Sequence, residues 1–146
     1  MIESDKQSDA AGLRRIRPGT PFEGKQGGHV YRPGVSAETA GSKAIHMQLL
    51  TIPPGGRARA HLHETHETAI YILSGSSGCW YGDNLEHYQI ISAGEFCYIA
   101  ASVPHLPFNR STVEPCTAVI ARTDPNEQES VVLLPELEAA LLAREG

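Results

Sequence analysis

Between Gly55 and Glu67 the chain reads Gly-Gly-Arg-Ala-Arg-Ala-His-Leu-His-Glu-Thr-His-Glu, so three of its seven histidines fall together there with Glu64 and Glu67. Imidazole nitrogens and carboxylate oxygens are donors that hold divalent transition ions. On an extended strand alternate side chains share a face. His61 and His63 therefore point the same way, roughly 7 Å apart along the chain. A third donor must come from the following turn or from the next strand, and Glu67, anionic, and His66, neutral, are the local candidates. Paired histidines also occur on solvated, charged turns, so this cluster by itself leaves both readings open.

The surrounding pattern is that of short strands. Residues 45–52 alternate in part and close on Pro53-Pro54-Gly55-Gly56, a strand and a turn. Strands are then expected at 59–63 and at 69–73, the latter bounded by Ser74-Gly75. Residues 79–81 and 87–91 flank the turn Gly82-Asp83-Asn84 as a hairpin. Residues 96–99 and 116–121 supply two more. Short strands between regularly spaced turns, with no helical period among them, predict an all-β sandwich or barrel. Only 135–144, opened by Pro135 and rich in Leu, Ala and Glu, reads as a helix. The expected organisation is an irregular N-terminal arm over 1–40, a barrel over 41–123, and a C-terminal loop and helix over 124–146 packing on the barrel.

Composition excludes several classes of function. A length of 146 residues suits one domain with its own core. The 17 acidic residues against 12 basic ones, a net charge of −5, argue against nucleic acid as the main partner. No apolar run has the length of a membrane span, and the first residues lack a signal-peptide pattern, so a cytoplasmic protein is the default expectation. Cys79, Cys97 and Cys116 are odd in number and set among apolar neighbours, which predicts reduced, half-buried thiols. A glycine-rich phosphate loop, a Gly-x-Ser-x-Gly elbow and a His-Glu-x-x-His motif are all absent.

A second constellation lies downstream, where Gly94 is followed by Ala100-Ala101-Ser102-Val103-Pro104-His105 and then Asn109. With it, the chain resembles a small single-domain cupin. Gly55, His61, His63, Glu67 and Gly75 follow the family's first motif, and Gly94, His105 and Asn109 its second. The match departs in two places. Counted back from Gly75, Thr68 occupies the carboxylate position, which suggests a bulge near His66 and Glu67. Ala100 and Ser102 stand where the second motif has Pro and Gly, and Pro104 is expected to stiffen that turn.

The resemblance implies a double-stranded β-helix, the jelly-roll or cupin barrel, with a mononuclear site. Its ligands would be His61, His63, Glu67 and His105, with His66 in reserve. The ion would be one divalent transition metal, iron, manganese, nickel, zinc or copper. The expected function is a metal-dependent enzyme acting on a small organic molecule. A redox ion would give a dioxygenase, a Lewis-acid ion an isomerase, cyclase or lyase with Glu67, if unligated, as general base. A non-catalytic cupin that binds a sugar or another small molecule is the competing expectation. Cupins often pair, so a homodimer is also implied. His29 and Tyr31 are candidates for the pocket mouth, Tyr71, Trp80, Tyr98 and Phe108 for its apolar wall, and His46, Gln48 and Arg59 for polar contacts.

Overall fold

Alternation of apolar and polar residues sets the architecture. In β3 (His46–Ile52) the side chains of His46, Gln48, Leu50 and Ile52 turn inward, and in β10 (Cys116–Arg122) those of Cys116, Ala118, Ile120 and Arg122 do the same. One buried face on each strand fixes the register, because a one-residue slip would expose the whole set. The computed structural model describes residues 11–145, and the first ten residues of the expected arm lie outside them. The remaining strands are β1 (Phe22–Glu23), β2 (Val30–Val35), β4 (His61–Leu62), β5 (Thr68–Ser74), β6 (Ser76–Tyr81), β7 (His87–Ser92), β8 (Phe96–Ile99), β9 (His105–Asn109) and β11 (Val132–Leu133). The helices are α1 (Ala37–Ala40) and α2 (Pro135–Glu145).

Two antiparallel sheets result, ordered β1-β2-β3-β10-β5-β8 and β11-β4-β9-β6-β7. This is the expected all-β jelly roll with a short C-terminal helix. The sheets enclose a core of Tyr31, Leu50, Ile52, Ile72, Cys79, Ile91, Cys116, Ala118 and Ile120. A second cluster, Ala60, Leu85, Leu106 and Leu141, lies where α2 packs against the five-stranded sheet. The three thiols are unbridged. No helix among the described residues is long and apolar enough to cross a membrane.

Three local expectations need correction. Residues 30–35, read as irregular, form β2 and pair with β3, although Pro33 and Gly34 obscure the pattern. Strand β4 is only two residues long where 59–63 was expected, because Ala58 and Arg59 spend their amides on the carbonyls of Pro107 and Gln26. Residues 105–109, assigned to no element from the sequence, are the inner strand β9 despite Pro107. The Pro107 carbonyl faces Ala58, on the side where β4 is short, so the missing N–H costs little ladder there.

The outer face of the six-stranded sheet is apolar. Leu49, Val119, Tyr71 and Phe96 stand in one cross-strand row, and Met47, Ala121, Ala69 and Tyr98 in the next. Phe96 is 79% exposed and Met47 50%.

Candidate metal centre

Strand pairing brings the two sequence motifs together. His61 on β4 is the direct cross-strand partner of His105 at the start of β9, and their ring centroids lie 4.2 Å apart. His63 follows on the same face, 4.9 Å from His61 and 5.2 Å from His105. One ring nitrogen from each of the three lies within 4.8 Å of the others. All three side chains are buried. Ser102 locks the turn before β9 onto the turn after β4, its amide donating to the His63 carbonyl at 2.6 Å and its hydroxyl to the Glu64 carbonyl at 3.0 Å. It does so at a φ of 65°, the left-handed region in which a glycine would sit without cost.

Each imidazole is oriented from behind. His61 Nδ1 meets the Arg59 carbonyl at 2.7 Å, His63 Nδ1 the Ser130 carbonyl at 2.7 Å, and His105 Nδ1 the Val103 carbonyl at 2.9 Å. A carbonyl only accepts, so Nδ1 carries the proton and Nε2 keeps a lone pair on all three rings. Burial drives the same outcome. It holds His61 well below the ordinary imidazole value, with the His105 charge adding to the effect. It brings His105 down to about 4, and lowers His63 although the Glu129 charge opposes this. Three neutral, pre-aimed imidazoles form a donor set that suits a divalent transition ion.

Glu67 does not join them. Its side chain is exposed and its carboxylate accepts the Tyr98 hydroxyl at 2.8 Å on the outer side of the sheet. The reason is parity. The ladder from Thr68 to Ile72 runs regularly against Arg122 to Ala118, so Thr68 turns inward and Glu67 outward. The expected bulge near His66 and Glu67 is not there. The register shift lies at the other end of β5, opposite Thr117 and Ala118.

The carboxylate at this site is Glu129, from the loop between β10 and β11, which the sequence pattern marked only as polar. Its Oε1 lies 2.9 Å from His66 Nε2 and 3.3 Å from His63 Nδ1, and its Oε2 3.7 Å from Arg122 Nη1. Burial pushes its carboxyl up, but the His66 hydrogen bond and the charges of His63 and Arg122 outweigh this and hold it below the usual value. His66, the reserve ligand, donates Nε2–H to Glu129, and with His63 and Glu129 it makes a second cluster of donor atoms within 4.8 Å. Nothing in a run of Asn, Glu, Gln and Ser marks one glutamate as inward; only the path of the loop does.

The histidines open onto a cavity with about 70 Å³ of space for the centre of a water-sized molecule. His29 and Tyr31, expected at its mouth, line it, together with Gln26, Thr68, Glu129 and a wall of aliphatic residues. His29 is 2% exposed, and neither ring nitrogen has a hydrogen-bond partner among the described residues. Burial, followed by the His105 charge, takes it to about 4. The expected aromatic wall is not part of this cavity. Trp80 and Phe108 pack beside the α2 cluster, and Tyr71 and Tyr98 face outward. Arg59 is paired with Glu138 of α2 at 3.0 Å, His46 does not line the cavity, and Gln48 lines a small neighbouring pocket that shares Gln26, Tyr31 and Glu129 with it.

Residues 48–121 match the family model for the cupin domain, and the chain belongs to that family. No curated protein matches it. Among solved structures, it resembles the polyketide cyclase RemF from Streptomyces resistomycificus, with a TM-score of 0.64 and 20% identity over 84% of this chain and 83% of that one. It resembles an oxalate oxidase with a TM-score of 0.62 and 19% identity over 74% of this chain and 56% of the other. A third is an oxalate decarboxylase from Lactobacillus farciminis solved with formate, at 0.63 and 18% over 86% and 37%. The chain thus spans little more than half of the oxidase, and likenesses at such identities establish the fold alone.

Proposed function

We propose that this cupin is a metal-dependent enzyme that moves a proton on a small organic molecule, as an isomerase, cyclase or lyase does. The observation that carries the reading is the set of three Nδ1–carbonyl hydrogen bonds, which leaves Nε2 unprotonated on three buried imidazoles that each offer a donor atom within 4.8 Å of the others. His61, His63 and His105 would hold the ion, and Glu67 is not among the ligands proposed. A divalent ion bound there supplies Lewis-acid polarisation of a substrate oxygen.

The remaining work falls to the chain's own residues. Glu129 is the carboxylate that lines the cavity, and hydrogen bonds and charge keep it ionised. It is therefore placed to accept a proton from bound substrate, the role the sequence suggested for Glu67. His66 anchors Glu129 through Nε2–H, and Arg122 stands behind its second oxygen. The aliphatic walls lower the local dielectric and so strengthen the polar contacts within the site. The polyketide cyclase, which this chain matches over most of both lengths, supports chemistry of this class.

Metal analysis of the purified chain tests the proposal. One equivalent of ion is expected per chain, lost in His61→Ala and His105→Ala and kept in Glu67→Gln. Oxygen uptake coupled to substrate consumption would replace this reading with a dioxygenase. Full ligand binding in the histidine variants would replace it with a binding module.

A further inference from the structure

Resting on that metal-centre reading, we infer that the site takes a neutral, predominantly apolar organic molecule, whose oxygen meets the histidines while its body lies in an adjoining groove. A dicarboxylate is not its substrate. The groove provides about 420 Å³ of free space for water-sized centres and adjoins the inner cavity, sharing Cys79, Ile91, Cys97, Ile99 and His105 with it. His105 thus stands at the junction, with a small space for a head group on one side and a larger apolar one on the other. Tyr81, Gln89, Phe96, Tyr98, Ala100 and Val103 complete the groove, and among the described residues no carboxylate, guanidinium or ammonium lines it.

Charge decides the class. Among the described residues that line the inner cavity, Glu129 alone carries a charge at neutral pH, and it is negative. Arg122 does not line this cavity; its Nη1 lies 3.7 Å behind Glu129 Oε2 and its Nη2 is held by the carbonyls of Asn126 and Glu127. A divalent ion held there would meet the single oxygen of such a molecule. Two carboxylates brought out of water would find no cationic side chain among the described residues that line either space. His29 adds a positive indication. A buried imidazole with neither nitrogen partnered is costly unless a ligand pairs with it, and a hydroxyl or carbonyl of the substrate would do so.

Calorimetry on the zinc-loaded full chain tests this with two probes, 2-naphthol and oxalate. The expected result is at least about tenfold tighter binding of 2-naphthol. Ile99→Arg places a cation at the junction and should weaken 2-naphthol by about tenfold while leaving zinc content unchanged. Ala100→Arg, at an exposed position of the same groove, serves if the first variant fails to fold. Equal or tighter binding of oxalate overturns the inference, as does 2-naphthol binding that neither arginine variant alters. Zinc content is read separately by mass spectrometry. A chain that takes up zinc and prefers oxalate overturns the substrate class alone, whereas a chain that takes up no zinc overturns the metal centre and this inference with it.

Discussion

His61, His63, His105 and His29 all sit where burial opposes their charging, and that makes the metal-free protein acid-sensitive in a definite window. Their folded values lie below the ordinary 6.5, so an unfolded chain binds protons more readily than a folded one. The stability these groups contribute is complete above 6.5 and is lost as pH falls towards about 4, where His29 and His105 charge within the fold. Melting temperatures of chelator-treated protein should fall across that interval, and a flat profile would contradict the assignment. The two glutamates separate by a different measurement. Glu129→Ala leaves the guanidinium of Arg122, 1% exposed, without its carboxylate and should cost about 3 kcal/mol in urea unfolding. Glu67→Ala removes an exposed group and should cost no more than about 0.5 kcal/mol. The histidines were legible because their types and spacing survive as text. Glu129 was not, since its role depends on which way a loop between two strands happens to turn.

At the scale of elements, the site depends on two short strands held from outside. β4 contributes only His61 and Leu62 to the sheet, and α2 braces it, with Glu138 accepting from the Ala60 amide at 3.1 Å and from Arg59. Leu141, fully buried, anchors that helix against Ala60, Leu85 and Leu106. Leu141→Ala should therefore cost about 2–5 kcal/mol by denaturant unfolding, with no change in the ligand set. Asn109 plays a comparable part for β9, its Nδ2 reaching the carbonyls of Ile52, Pro53 and Glu114. The motif asparagine thus ties the turn after β3 to the end of β9. Gly75 shows why its own motif position was readable. Its φ is 83°, and a Cβ there would come within 2.8 Å of the Pro115 carbonyl oxygen and 2.9 Å of Cys116 Cα. Strands β2 and β9 were harder to see because a proline interrupts each pattern.

On the scale of the whole molecule, the apolar rows on the outer face of the six-stranded sheet are the feature most in need of cover. A contiguous exposed apolar surface of this kind marks an interaction site, and we propose that a second copy of the chain occupies it, as the family resemblance leads one to expect. Light scattering should give a dimer, and Met47→Glu combined with Leu49→Glu a monomer that keeps its metal. A monomeric native chain would refute the pairing. By itself the sequence determined the barrel class, the two histidine motifs and the helix, because alternation, turn residues and donor spacing are local properties of the chain. Only the tertiary structure decided that Thr68 faces the cavity and Glu67 solvent, that Glu129 supplies the carboxylate, and that aliphatic side chains wall the site. Those outcomes rest on ladder parity and loop path, and both depend on partners far away in the chain.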